Sequence, residues 1–298
     1  MSRAGDFVHL HTHSHYSLLT ALPQIDALVE AAKKDGQTAL ALTDNGSMYG
    51  TIDFYKECRK AGIKPIIGMD AFVAPRTRFD KEHRIDNQMS RLVLLAMNEV
   101  GYHNLIKLAS LGNTEGFYYN ARIDRELIER YKEGLIAILP SFAAESARHL
   151  KEQDEARAQE SIEWYRAQFG EFLYAEVTHH PEIEGHEDRM KKWSAFARTH
   201  QVPLMAAHDT YYLAPEDSVA RELVIKIKSG GHLDREMGVG AEDFSFITQS
   251  DAKDRFKDEP ELLENTMRIA DLCNLEIKLG AWFFPDFPVP AGSSHDTE

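Results

Sequence analysis

The feature that most limits the fold is an alternation. Short, nearly continuous apolar stretches recur at residues 7–13, 38–44, 64–73, 91–97, 134–140, 172–178 and 202–209, and segments of helical spacing lie between them. The segment IDALVEAAKKDG shows the pattern, with apolar residues at helical intervals, lysines in the last turn and Gly36 as a stop signal. Strands joined through helices run parallel with right-handed crossovers, and strands without polar alternation are covered on both faces. The seven stretches therefore predict an α/β fold, a distorted seven-stranded TIM-like (β/α)7 barrel. An open doubly wound sheet is the alternative, but no glycine-rich phosphate loop follows the first stretch.

After residue 215 the rhythm changes to a helical segment EDSVARELVIKIKSGG, a glycine-containing loop and a second helical segment PELLENTMRIADLCNLEI, which predict extra C-terminal helices. The end, FFPDFPVPAGSSHDTE, is proline-rich and then small and polar, as linkers are. We expect one domain over residues 5–284 and a linker over residues 285–298, cut at a domain boundary.

Composition narrows the function classes. A formal net charge of −14 makes the chain a poor primary surface for DNA, which is gripped largely by lysine and arginine. The run around Arg76, Arg78, Lys81 and Arg84 reads as a local basic patch or as a solvated loop. Two cysteines, Cys58 and Cys273, make neither a disulfide scaffold nor a thiolate zinc cluster. No apolar run approaches the ~20 residues that span a bilayer, and the first residues lack a secretory pattern. The expectation is a soluble cytoplasmic protein with no membrane contact.

The strongest chemical signal is HLHTHSH, which puts His9, His11, His13 and His15 on one face of an extended segment, where imidazoles can converge on a metal. Other polar groups stand where apolar stretches run out: Asp44, Asp70, His179, His180, His208 and Asp209. Barrel enzymes build their sites at the C-terminal ends of strands, so these positions share one rim if the barrel holds. Singly, each reads as a loop cap; with the histidine run, they suggest a His/Asp metal pocket. Asn45 fits a simple turn as well as it fits a site. No GxSxG elbow, P-loop or CxxC pair is present.

HLHTHSHYSLL, ALTDNGSMYGTIDFYKECRKAGIKPIIGMDAFV, GYHNLIKLAS, GFYYNARIDRELI, EGLIAI and ENTMRIADLCNLEI resemble the N-terminal PHP (polymerase and histidinol phosphatase) domain of bacterial DNA polymerase III alpha subunits, over roughly residues 5–290. That resemblance implies a distorted barrel and, in active relatives, a trinuclear metal cluster that hydrolyses phosphoesters. His11, His13 and Asp209 match family ligands, and Asp70 stands where a bridging glutamate is usual. Thr20, Asn45, Arg91, Ser141 and Tyr211 occupy positions where ligands are expected. The resemblance thus implies a residual site of His11, His13, Asp70 and Asp209 holding at most one divalent ion, zinc or manganese. Asp44, Asn45, Arg91, Ser141, His180, His208 and Tyr211 would line the pocket. Arg91 could bridge to Asp70 in place of a lost metal, or leave the pocket for solvent.

Two functions follow from the resemblance. One is a structural and docking module of a replicative polymerase, with the rest of the alpha subunit and a proofreading exonuclease subunit as partners, DNA met only through the parent, and magnesium confined to an absent polymerase core. The alternative is an active metal-dependent phosphoesterase, a 3′–5′ proofreading exonuclease or a phosphatase. A generic amidohydrolase shares the His-x-His start but leaves the polymerase-like blocks unexplained.

Overall fold

Runs such as LIAIL and LVLLA are apolar at every position, so they persist as strands only where both faces are covered. The computed structural model describes residues 6–230 and 242–280; the expected linker over residues 285–298 lies outside these. One sheet carries β1 (Ala39–Leu42), β2 (Lys64–Val73), β3 (Ser90–Ala96), β5 (Leu135–Leu139), β6 (Leu173–Val177) and β7 (Leu204–Ala206) in that order, and the two-residue β4 (Arg122–Ile123) pairs beside β2. Alternation sorts the residues. Leu135, Ala137 and Leu139 of β5 join the core between sheet and helices, while Ile136 and Ile138 join the core inside the ring.

The outer layer comprises α1 (Ile25–Lys34), α2 (Thr51–Ala61), α3 (Glu99–Thr114), α4 (Arg125–Tyr131), α5 (Glu145–Lys151), α6 (Glu155–Phe169) and α7 (His186–Thr199). Side-chain caps set several starts: Asn98 accepts from Gly101 N, Asp124 from Leu127 N and Asp154 from Arg157 N. The C-terminal helices are α8 (Ser218–Lys228), the short α9 (Gln249–Arg255) and α10 (Pro260–Leu272). Helix α10 plugs the bottom of the ring, where Ile269, Ala270 and Cys273 join the inner core and Lys64, at the start of β2, donates to Ala270 O at 2.6 Å.

Two expectations need correction. The first apolar stretch, residues 7–13, is not a regular strand. It is an extended segment joining the two edges of the sheet: Ala41 N donates to His9 O and Thr43 N to Thr12 O, while His13 N donates to Thr210 O and Thr210 N to His11 O. The strands are also not all parallel, because β3 runs antiparallel to both β2 and β5. The cause is the connection. Residues 74–89 contain no helix, so the chain turns back beside β2 instead of crossing over, and the start of β3 lies at the same mouth as the end of β2.

Residues 74–89 are held by a buried arginine. Arg122, 0% exposed, donates from Nε to Gly116 O and from its terminal nitrogens to the carbonyls of Asp86, Arg78 and Asp80. The basic run is therefore partly spent inside the protein. Arg76 pairs with Asp86 and Glu82, and buried Arg78 pairs with Asp124, Glu115 and Glu126. Replacing Arg122 with alanine would strand four carbonyls; unfolding in urea is expected to show a loss of about 3 kcal/mol or more. A loss below about 1 kcal/mol would show that water replaces the guanidinium at no cost.

Candidate metal centre at the barrel mouth

The inward-facing residues of neighbouring strands meet at one end of the ring. On β2 the residues inward of the sheet are Ile66 and then Asp70; on β3 they are Leu95, Val93 and then Arg91; on β6 they are Tyr174 and then Glu176. Asp70, Arg91 and Glu176 thus form a polar layer above an apolar one, and His11 enters among them from the closing segment.

Arg91 turns into the pocket. Its Nε donates to Asp70 Oδ1 at 3.0 Å, one terminal nitrogen donates to Asp70 Oδ2 and to Asn45 Oδ1, and the guanidinium lies 4.1 Å over the Phe72 ring. Asn45 Nδ2 donates in turn to Thr20 Oγ1 at 2.9 Å. Burial alone would raise the Asp70 carboxyl, but Arg91, His11 and His13 outweigh it and hold it well below the usual carboxylate range.

Across the pocket, His11 Nε2 lies 3.2 Å from Asp70 Oδ2, and its Nδ1 lies 2.8 Å from Glu176 Oε2 and 2.9 Å from Asp209 Oδ1. Burial opposes a charge on His11, yet Asp209 and Glu176 together lift its pKa well above the ordinary imidazole value. Burial and the neighbouring Asp209 raise Glu176 to about 7. Asp209, whose burial also acts upward, is drawn to about 2 by His11.

His13 places Nδ1 3.2 Å from Thr210 O and stacks on Tyr211, with centroids 4.1 Å apart; its buried Nε2 has no hydrogen-bond partner and lies 3.5 Å from Asp70 Oδ2. A backbone carbonyl on one nitrogen and a free lone pair on the other suit a metal-ligating imidazole.

The expected residues divide into groups. His11, His13 and Asp70 come together, as do His11, Glu176 and Asp209, each set with ligand atoms within 4.8 Å of one another. Arg91, Asn45 and Tyr211 border them. Ser141 supports Glu176, its N and Oγ each 3.3 Å from Glu176 Oε1. Asp44 turns away: Ser14 N, Ser14 Oγ and Ser17 Oγ donate to it, so its carboxylate fixes the turn after the closing segment. His180 and His208 belong to a neighbouring group, stacked on each other at 5.0 Å, with Glu182 2.9 Å from His180 Nδ1 and Arg255 3.2 Å from His208 Nδ1. His9 turns toward Ile247 O and His15 toward Pro23 O, so only His11 and His13 of the histidine run converge.

Glu176 is the site residue that sequence reasoning missed. Its signal was a lone charge inside an otherwise apolar strand, FLYAEV, in phase with inward-facing Tyr174. The donors fall into two sets that share His11, either of which could hold a divalent ion. Thr20, Asn45, Arg91 and Tyr211 interact with one another or with the histidines, and an arginine at Asp70 repels a cation.

A strand ring bearing a His/Asp mouth defines the class, and the family model described as the PHP domain matches residues 9–180. The chain belongs to the PHP domain family. More narrowly, it is similar to DNA polymerase III subunit alpha of Borreliella burgdorferi, 38% identical over 97% of this chain and 26% of the relative. The corresponding Treponema pallidum subunit is 36% identical over 95% of this chain and 24% of its own length, and that of Pseudomonas aeruginosa is 35% identical over 97% and 24%. The chain thus spans about a quarter of the length of these curated relatives. Among solved structures, an amidohydrolase from Chromobacterium violaceum aligns with a TM-score of 0.39 and 13% identity, over 68% of this chain and 87% of its own.

Removing Arg91 tests the ion pair. Arg91→Met leaves Asp70 buried without its cation and is expected to cost about 3 kcal/mol in urea unfolding near neutral pH. Because the folded Asp70 carboxyl lies below its unfolded value of about 4, its contribution is present above that value and is lost as pH falls through the folded one. The acid limb of stability against pH should therefore be shallower in Arg91→Met than in the parent chain. Parallel acid limbs would show that the pair does not set the Asp70 carboxyl.

Proposed function

We propose that the chain is the PHP domain of a replicative DNA polymerase alpha subunit and serves there as a structural and partner-docking module, its hydrolytic site having been replaced by a protein network. The observation that carries this reading is Arg91. A guanidinium bonded to both oxygens of Asp70 fills the place where a metal cluster would need a cation, and Asn45 and Thr20 extend its hydrogen bonds. Phosphoester hydrolysis by paired metals needs one ion to ready the nucleophile and another to neutralise the leaving group. The donors around His11 supply one.

A bound divalent ion, zinc or manganese, would be held by donors gathered around His11 and would supply positive charge there. The protein groups themselves orient one another: Thr210 O fixes His13, and Arg91 fixes Asp70. The proofreading exonuclease subunit is the partner this reading assigns, with DNA engaged by the rest of the parent and magnesium by its polymerase core. Similarity to alpha subunits along almost the whole chain supports that place, and the net charge of −14 favours protein contacts over a DNA grip. Among the described residues no helix is long and apolar enough to cross a membrane.

The test is manganese-dependent hydrolysis of the 3′ end of a primed DNA strand by the purified chain. The expected result is no turnover above that of His11→Ala, together with co-elution of the chain and the organism's proofreading exonuclease subunit. Two or three tightly held ions with turnover abolished in His11→Ala would replace this reading with an active phosphoesterase.

A further inference from the structure

His11 stands between two acidic neighbourhoods that differ in charge balance. On the Nε2 side, Asp70 already has Arg91 on both oxygens, so an added cation would meet a fixed positive charge. On the Nδ1 side, Glu176 Oε2 and Asp209 Oδ1 lie 2.8 and 2.9 Å away, and among the described residues no lysine or arginine forms an ion pair with either. One N–H serves one acceptor. Directed at Glu176, it leaves Asp209 Oδ1 without a hydrogen-bond donor although Asp209 is only 8% exposed. Two buried carboxylates around a single imidazole need a further cation, whether a proton or a metal ion.

We propose that the ion of this domain sits on the Glu176 side of His11, held by His11 Nδ1, Glu176 and Asp209, with Asp70 orienting His11 instead of ligating the metal. This rests on the reading that the His11 cluster keeps one divalent ion, and it changes which residues hold it. Binding displaces the proton from His11 Nδ1 to solvent. The remaining Nε2–H then donates to Asp70, which Arg91 holds in place, giving a carboxylate that steers a ligating imidazole from behind. Ser141 completes the support: its N and Oγ both approach Glu176 Oε1 and leave Oε2 turned toward His11. The strand itself is pinned, since Trp193 Nε1 donates to Glu176 O at 2.8 Å. One imidazole and two carboxylates suit manganese or zinc. On this arrangement Arg91 does not abolish the metal site; it moves the ion across His11.

The experiment is a titration of the whole chain with Mn2+, free ion being followed by electron paramagnetic resonance, on the parent, Glu176→Gln and His13→Gln. Circular dichroism checks that each variant is folded. The expected result is one ion in the parent, weakened about tenfold or more in Glu176→Gln and changed by less than about threefold in His13→Gln. Anomalous scattering from Mn2+-soaked crystals of the parent gives the position without any substitution, and the peak should lie among His11, Glu176 and Asp209. A peak between His13 and Asp70, or an ion lost in His13→Gln but kept in Glu176→Gln, overturns this assignment while leaving a one-ion domain. Absence of any bound ion in the parent overturns both.

Discussion

A carboxylate buried at the top of a barrel has to be matched by positive charge, and the match chosen for Asp70 sets the character of this molecule. Desolvating an unpaired carboxylate costs several kcal/mol, so Asp70 must take a metal, a proton or a basic side chain. Here the partner is a guanidinium that is charged at every accessible pH and that engages both oxygens. Several groups at the mouth are arranged around that pair. Asn45 accepts from the same guanidinium, Thr20 accepts from Asn45, Phe72 lies beneath it, and His11 faces the carboxylate from the other side.

The pair exists because of the direction of one strand. In an all-parallel ring, the first residue of β3 would sit at the bottom, beside the plug formed by α10. Running antiparallel, β3 brings Arg91 opposite Phe72, two residues along from Asp70 and on the same face of the sheet. That reversal depends in turn on residues 74–89, a helix-free excursion held in shape by Arg122 and Arg78. Backbone carbonyls gathered by one buried arginine are therefore a condition for the electrostatics of the pocket.

Much of this was legible in the sequence, and for a physical reason. A strand buried on both faces must be apolar throughout, so six of the seven stretches appear as strands within a few residues of their expected bounds. Direction is another matter. Apolar runs carry no arrow, and only the lack of helical spacing between the stretches at 64–73 and 91–97 marked the reversal. The first stretch looked as strand-like as the others, but its backbone bonds are divided between β1 and the loop at Thr210. In the site, His11, Asp70 and Asp209 were readable because polar groups ending apolar runs are conspicuous. Glu176 was not, because it lies inside its run, and its role emerges only when phase is counted from Tyr174. Asp44 is a carboxylate at a strand end whose hydrogen bonds go to the turn at Ser14 and Ser17, as its loop-cap reading allowed.

The residues standing where the family resemblance places metal ligands form a connected set. Removing a buried ligand leaves the remaining donors with excess negative charge and unmet lone pairs, which costs stability. Thr20, Asn45 and Arg91 instead supply donors and acceptors to one another in an unbroken chain that ends on Asp70. Tyr211 covers His13 with an aromatic face, and Ser141 gives its hydroxyl and backbone N–H to Glu176. Each of these side chains answers an electrostatic or hydrogen-bonding demand of another, so replacing one of them alone would break the network. That mutual dependence makes the pocket a settled part of the fold, while His13 Nε2 and Asp209 Oδ1, both buried, are left without a hydrogen-bond partner among the described residues.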